Sequence, residues 1–310
     1  MILNTGNRTD IPAFYSEWFY NRVRAGFALA RSPYDPSAVT RYRLSPDVVD
    51  AILFCTKNPQ PMLARLDELA AFRQLWQVTI TPYGPDIEPF VPDKERVMEA
   101  FRALSARLGR RRVVWRYDPI FLTQRYDLAF HLRTFEQMAR ALAGSTEACV
   151  VSFLDLYEKT RRNFPQGRAV ETAAQETLVR AFVEIGQKYG MQLRLCCENP
   201  ALARFGADVS GCMAKPALER ALGLSLRIPK AAQHARAQCA CVLGGDLGAY
   251  NTCGHGCLYC YANENQAAVR RNRALHDAAS PLLVGALRAG DVVREAKQEP
   301  YTDGQLTLGL

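Results

Sequence analysis

Cysteine is the residue type whose spacing in this sequence points most directly to chemistry. The chain of 310 residues contains ten cysteines, and five of them lie between Cys239 and Cys260. Three of these form the array Cys253-Gly-His-Gly-Cys257-Leu-Tyr-Cys260, a CxxxCxxC spacing. Three thiolates this close along a loop can bind three irons of a [4Fe-4S] cluster and leave its fourth iron open. The array therefore predicts an iron–sulfur site.

The open iron of such a cluster can be chelated by the amino and carboxylate groups of S-adenosylmethionine (SAM). Electron transfer into the sulfonium then breaks a C–S bond and gives a 5′-deoxyadenosyl radical. Zinc is the alternative metal for this loop. Zinc prefers four tetrahedral ligands, and here His255 or an upstream cysteine would have to complete the set.

A second group of cysteines precedes the array. A CxC pair cannot readily supply all the ligands of one site, so we expect cysteines from earlier in the chain to join it. The pattern predicts either an auxiliary [4Fe-4S] cluster or a structural zinc site, and the alternative is a set of buried apolar thiols. The candidate ligands are Cys196, which Cys197 could replace, Cys212, Cys239 and Cys241.

Polar side chains follow several predicted strands. In a parallel α/β fold the carboxyl ends of the strands meet at one mouth, so these groups are expected to line a site. Cations there could hold an anionic substrate or the SAM carboxylate, and carboxylates could bind ribose hydroxyls. The alternative is that they cap loops and pair across strands. The candidate catalytic residues are Arg8, Asp10, Lys57, Tyr83, Arg116 and Asp118.

The elements that must position these groups alternate between short apolar strands and amphipathic helices over the first 200 residues. The predicted strands are Met1–Asn4, Gly26–Arg31, Ala51–Cys55, Trp76–Thr81, Arg112–Arg116, Cys149–Phe153 and Met191–Cys196, with an eighth near Asp208–Ser210. Three- and four-residue apolar spacing predicts helices at Pro61–Phe72, Asp93–Leu108, Leu128–Leu142 and Ala169–Tyr189. Residues 38–44 are a candidate hairpin partner for Gly26–Arg31.

This alternation predicts an α/β fold, specifically a (β/α)₈ TIM-like barrel that is complete or partly open. A doubly wound sheet is the alternative, but no glycine-rich first turn supports it. We expect residues 1–225 to form the barrel. Residues 226–310 are expected to form a cysteine-rich, cluster-binding strap and a tail that pack on it.

The segment YNTCGHGCLYCYANE resembles the cluster loop of radical SAM proteins, with wording most similar to the spore photoproduct lyase-related branches. With RTDIPAFY, TKNP and WRYDPI, the whole chain resembles an uncharacterised family of radical-SAM-like proteins. The resemblance implies a cluster on the array, SAM as cofactor, and Tyr259 near the adenine. Asn58 of TKNP and Asn263 of YCYAN are further candidate cofactor-binding residues.

Composition sets the remaining expectations. Apolar residues make up 48% of the chain, no apolar run is long enough to span a bilayer, and the N-terminus lacks a signal pattern. We therefore expect a cytoplasmic protein with no membrane partner, acting as a monomer. In that compartment clustered cysteines favour metal over disulfides. The net charge of +8, with Arg270, Arg271 and Arg273 after the array, allows a nucleotide or nucleic-acid substrate.

The function predicted from these observations is a radical SAM-type enzyme acting on an unknown substrate and reduced by a donor such as flavodoxin or ferredoxin. Two alternatives lack SAM chemistry. One is a nucleic-acid-binding protein stabilised by zinc or an iron–sulfur cluster. The other is an iron–sulfur electron carrier, which requires a fourth cysteine on the first cluster.

Overall fold

A computed structural model describes residues 1–233, 239–242 and 244–306, with the backbone alone for 303–306. Its strands are β1 Ile2–Asn4, β2 Phe27–Arg31, β3 Ala38–Arg43, β4 Ala51–Thr56, β5 Gln74–Thr79, β6 Val113–Ile120, β7 Ala148–Phe153, β8 Gln192–Leu195, β9 Leu224–Leu226, β10 Gly245–Asp246, β11 Val292–Glu295 and β12 Thr302–Leu306. Its α-helices are α1 Ile11–Phe14, α2 Ser16–Ala25, α3 Gln60–Leu63, α4 Lys94–Leu108, α5 Leu128–Ala141, α6 Glu158–Asn163, α7 Thr172–Lys188, α8 Lys215–Leu222 and α9 Gln266–Ala274.

A large parallel sheet organises the fold, in the strand order β10-β1-β4-β5-β6-β7-β8. All six neighbouring pairs are parallel, and this confirms the predicted α/β class. The seven strands do not close on themselves, so a complete eight-stranded barrel is not found in the described residues. The edge strand β10 comes from the predicted strap and pairs Leu3 of β1 with Gly245.

The opening between the edge strands β8 and β10 is crossed by residues 208–214. Asp208 makes a parallel bridge to Arg194 of β8, and Ala214 makes an antiparallel bridge to Cys241. The predicted eighth strand is thus reduced to a single bridge. Gly211 has a φ of +107°, a conformation that L side chains rarely adopt, so the chain turns here instead of extending the sheet.

The predicted strand Gly26–Arg31 does not belong to the parallel sheet. It forms β2, which pairs antiparallel with β3 as the hairpin alternative predicted, and β11 adds to β3 in a separate three-stranded sheet. The connection between β2 and β3 is only six residues long, which is too short for a parallel crossover. Placing this strand in the main sheet was therefore wrong.

Amphipathic helices cover the sheet through a layer of aromatic side chains. Phe135 of α5 and Phe182 of α7 stack with ring centroids 3.8 Å apart, and Phe135 also stacks on Trp115 of β6 at 4.9 Å. Asp93 and Asp127 cap α4 and α5 through their side chains. The predicted helix Pro61–Phe72 is instead split into α3 and a 3₁₀ turn. No helix among the described residues has both the length and the apolar character that a bilayer span requires.

This aromatic layer predicts a large effect of truncation. Phe135→Ala is expected to lower the free energy of unfolding by about 3–5 kcal/mol, because it leaves a cavity between two stacked rings. Tyr34→Ala removes a ring that is 92% exposed and should change it by less than about 0.5 kcal/mol. Urea unfolding followed by circular dichroism measures both, and equal effects would contradict the packing described.

Candidate metal and active site at the carboxyl ends of the strands

A cavity of about 480 Å³ lies at the carboxyl ends of the parallel strands, a size typical of small-molecule sites. Residues at the ends of β1, β4, β5, β6 and β7 line it, as expected for an open parallel sheet. Eight of the ten cysteines also line it: Cys55, Cys196, Cys212, Cys239, Cys241, Cys253, Cys257 and Cys260. The two groups of cysteines separated in the sequence therefore share one cavity.

Asp10 holds the CxxxCxxC loop, residues 253–260, against the strand ends. Its Oδ2 lies 2.8 Å from Nε2 of His255 and accepts a hydrogen bond of 2.8 Å from the backbone N–H of Lys57. Its Oδ1 accepts from the N–H of Ala13 and caps α1. Because Asp10 is only 5% exposed, these bonds form away from water, where charge-assisted contacts are strong. Asp10 thus joins three segments.

Neutral hydrogen bonds fix the two ends of the same loop. The Thr252 and Thr9 hydroxyls are hydrogen-bonded at 2.7 Å, and the Thr252 carbonyl accepts from the Tyr15 hydroxyl at 2.7 Å. Asn263 donates from Nδ2 to the Cys253 carbonyl at 2.8 Å, while its buried Oδ1 has no hydrogen-bond partner among the described residues. The loop is therefore held on both sides of the cysteines.

The glycines of the array are required by close packing. A Cβ at Gly254 would come within 2.9 Å of the Phe14 ring and closer still to the Arg273 guanidinium. Gly256 has a φ of +70°, and a Cβ there would lie 2.8 Å from the Phe90 ring. The loop packs against these side chains because positions 254 and 256 have no side chain of their own.

A buried cluster of charges supports Tyr259, the aromatic residue before the third cysteine. The carboxylate of Glu88 accepts hydrogen bonds from the Tyr259 hydroxyl, from Lys57 at 2.8 Å and from Lys94. Burial alone would raise the pKa of Glu88, but Lys57 and Lys94 lower it to about 2. Glu88 therefore stays ionised and orients both Tyr259 and Lys57 at the cavity wall.

The Arg116–Asp118 pair forms another part of the wall. Arg116 Nε donates to Asp118 at 3.1 Å, and Arg116 NH1 donates to Gln77 at 2.6 Å. Ser152 donates to the same carboxylate at 3.3 Å. Burial would lower the pKa of Arg116, but Asp118 and the Cys212 and Cys196 thiols raise it well above its ordinary value. The guanidinium is thus a fixed positive charge beside the second group of cysteines.

Four candidate polar residues do not line the cavity. Arg8 pairs with Asp246 of β10, with Nε 2.6 Å from the carboxylate. Tyr83 is buried against Phe121 and donates to a backbone carbonyl. Asn58 accepts from the backbone of Gln60 in the turn before α3, and Asn263 lies behind Cys253. The structure uses all four to position chain segments; by contrast Asp10, Lys57, Arg116, Asp118 and Tyr259 line the cavity.

The second group of cysteines comes together in the opening of the sheet. The Cys196 thiol lies 3.3 Å from that of Cys212, and the Cys212 thiol lies 3.6 Å from that of Cys241. Hydrogen bonds from these two neighbours, with Arg116 nearby, hold the pKa of Cys212 well below its ordinary value. Cys197 has a φ of 64°, which turns the chain, and it does not line the cavity.

Burial raises the pKa of all three array thiols, that of Cys257 to about 12, and the mutual repulsion of their thiolates adds to the rise for Cys253 and Cys257. As they stand, no three His, Cys, Asp or Glu side chains in the described ranges form a group that could hold a metal ion. A positive metal centre would remove the repulsion between the thiolates.

Two residues of this site were not assigned their role from the sequence. Glu88 follows β5 in a loop with apolar neighbours, and its importance arises largely from Lys57 and Tyr259, which are distant in sequence. His255 was considered only as a zinc ligand, whereas it contacts Asp10. A single acidic residue within the apolar run Ile87–Phe90 was the available signal for Glu88.

A model of a protein family, described as a domain of unknown function (DUF1848), matches residues 2–262. The chain belongs to this family. Every residue that lines the cavity falls within the matched range. The description of the DUF1848 family names no reaction, so the resemblance to radical SAM proteins stays a prediction. Neither the curated proteins nor the solved structures include a match to this chain.

The Glu88 cluster predicts a pH-dependent stability difference. Glu88→Gln is expected to lower the free energy of unfolding by about 3 kcal/mol at pH 7, because two lysines lose their buried partner. The folded pKa of about 2 lies below the ordinary 4.5, so the contribution is present above pH 4.5 and is lost as the pH falls towards 2. Urea unfolding of identically prepared proteins from pH 7 to pH 3 measures this.

The exposed helix residue Glu99 provides the control for this series. Glu99→Gln should stay within about 0.5 kcal/mol of the wild type throughout the range. A gap between wild type and Glu88→Gln that stays constant from pH 7 to pH 3 would show that Glu88 is not ionised in the folded protein.

Proposed function

We propose that this protein is a radical SAM-type enzyme whose [4Fe-4S] cluster is bound by Cys253, Cys257 and Cys260. The supporting observation is that these three thiols line one cavity, at the carboxyl ends of a parallel sheet, with polar groups from several strand ends. Active sites of parallel α/β proteins lie at this edge. In this proposal the open sheet is a partly open barrel.

The residues present are compatible with a cluster. The donors are three thiols on a loop anchored by His255 and Asp10, and no fourth cysteine belongs to the motif. When bound and reduced, a cluster of this kind with SAM supplies a 5′-deoxyadenosyl radical. The reducing electron has to come from a partner such as flavodoxin or ferredoxin.

The chain's own residues bind and orient the reactants. Tyr259 is fixed by Glu88 beside the array, where the resemblance places the adenine. Lys57, paired with Glu88, and Arg116, paired with Asp118, line the wall and can donate hydrogen bonds to a carboxylate or phosphate. Because their partners hold them in place, they contribute orientation as well as charge.

Two aromatic rings favour a nucleotide or nucleic-acid substrate. Tyr157 and Tyr261 both line the cavity, and they are 43% and 50% exposed. Their ring centroids are 6.2 Å apart. Exposed tyrosines at the entrance to a cavity can stack on a planar base.

Cleavage of SAM tests the proposed activity. Protein purified without oxygen, reduced and mixed with SAM is expected to release 5′-deoxyadenosine, measured by liquid chromatography. Cys257→Ala should abolish the release, because it removes one of three iron ligands. Cys149→Ala changes a cysteine that is buried in β7 away from the cavity, and it should retain most of the release.

The metal content decides between this proposal and its competitors. An iron-replete sample that cleaves no SAM would contradict the proposed activity. If the EPR spectrum of the reduced cluster does not change when SAM is added, the protein is better described as an electron carrier. Zinc on the array together with salt-dependent nucleic-acid binding would instead indicate a binding protein.

Asp10→Asn tests the anchoring of the array. The substitution keeps the size of the side chain and removes the negative charge that is hydrogen-bonded to His255 and to the backbone N–H of Lys57. We expect the affinity of the array for iron to fall about 10- to 100-fold, as for other supports of metal ligands. Competition with a chelator measures it. Asp67→Asn, at a side chain that is 90% exposed, should leave the affinity unchanged.

A further inference from the structure

The opening of the main sheet brings together thiols from three separate segments. Cys196 directly follows the edge strand β8, and Cys241 lies just before the other edge strand, β10. Cys212 lies in the segment that crosses between them. The Cys196–Cys212 and Cys212–Cys241 sulfur distances are 3.3 and 3.6 Å, so the three thiols are in contact.

Backbone N–H groups point at two sulfurs of this group. Met213 N–H donates to the Cys241 sulfur at 3.2 Å, and Cys241 N–H donates to the Cys239 sulfur at 3.4 Å. Such bonds stabilise negative charge on sulfur and are typical surroundings of metal-bound thiolates. Gly211 permits this arrangement, because a Cβ there would lie 3.2 Å from the Cys241 sulfur.

The sulfur distances favour a single metal ion over a cluster. Zinc binds thiolates at about 2.3 Å in a tetrahedron, whose sulfur–sulfur edges are then about 3.8 Å. In a [4Fe-4S] cluster each thiolate binds a different iron, so the body of the cluster separates the sulfurs. The observed contacts are a few tenths of an ångström shorter than the zinc edges. They leave no room for a cluster between the three sulfurs.

We propose that Cys196, Cys212, Cys239 and Cys241 bind one zinc ion, which links the two edge strands of the open sheet. The thiols as they stand do not enclose a metal position. Binding requires the two contacts to lengthen slightly and the Cys239 thiol to join them. All four cysteines already line the same cavity. The zinc supplies a bond across the opening where the described sheet has no continuous strand pairing.

This site goes beyond the proposed radical function and does not depend on it. Its structural consequence is that the cavity wall between β8 and β10 becomes rigid. Arg116 lies against Cys212, so it balances part of the negative charge of a four-thiolate zinc site. The proposal also selects Cys196 over Cys197 as the ligand from this pair.

The test removes the first site and leaves the second intact. A full-length variant with Cys253→Ser, Cys257→Ser and Cys260→Ser is purified under reducing, oxygen-free conditions. Elemental analysis is expected to give one zinc per chain, and X-ray absorption should show four sulfurs at about 2.3 Å. Wild-type protein should carry the same zinc in addition to iron.

Two further substitutions in this background locate the metal. Cys212→Ser is expected to reduce the retained zinc at least tenfold, whereas Cys197→Ser, next to Cys196 but away from the cavity, should retain it. Chelation of the zinc from the triple variant should lower its unfolding temperature. The X-ray absorption measurement is made on the triple variant itself. It therefore tests the zinc site even if Cys212→Ser misfolds.

Two results would overturn the proposal. One is the absence of a stoichiometric metal from the triple variant and also from the four cysteines Cys196, Cys212, Cys239 and Cys241 of the wild-type protein. The other is iron with sulfide in cluster stoichiometry in the triple variant, which would assign an auxiliary cluster instead. Because this variant lacks the array, neither result bears on SAM cleavage by the wild type.

Discussion

The arrangement of this site depends on the hydrogen bonds that the carboxylate of Asp10 makes. This carboxylate is hydrogen-bonded to the backbone after β4, to the first turn of α1 and to the histidine inside the cysteine array. Hydrogen bonds to a buried charge contribute about 1.5–3 kcal/mol each, more than neutral ones. The array has no regular secondary structure of its own, so its position is set by contacts of this kind. Asp10, which follows β1 and accepts from the chain after β4, therefore contributes directly to the placement of the cysteines.

Charged side chains of the cavity wall occur in ion pairs. Lys57 and Lys94 share Glu88, and Arg116 is paired with Asp118. Each pair is largely buried, and removing one member would leave the other without compensation. The wall therefore offers oriented hydrogen-bond donors without a large unbalanced charge. Such a wall suits a ligand that is bound in one orientation more than one that is only captured by long-range attraction.

The parts of the structure that could be read from the sequence are those with local causes. Continuous apolar runs identified β4 and β7, and polar residues after the strands identified Asp10 and Asp118, which line the same cavity. The strand β10 has only two residues, Gly245 and Asp246, and carries no apolar pattern, so nothing local marks it. Glu88 owes its role to residues brought to it by the fold. The choice between Cys196 and Cys197 depends on a backbone turn that no spacing reveals.

The pairing of β1 with β10 also determines when the site can be completed during synthesis. These strands come from opposite ends of the region matched by the family, and the array follows β10. Until the ribosome has translated β10, one edge of β1 lacks its partner strand. The polar groups at the strand ends then also lack their contacts with the array. The array can therefore dock only after the C-terminal segment has emerged, onto a sheet that has had time to fold. Completion of the cavity is thus one of the last steps in the folding of this protein.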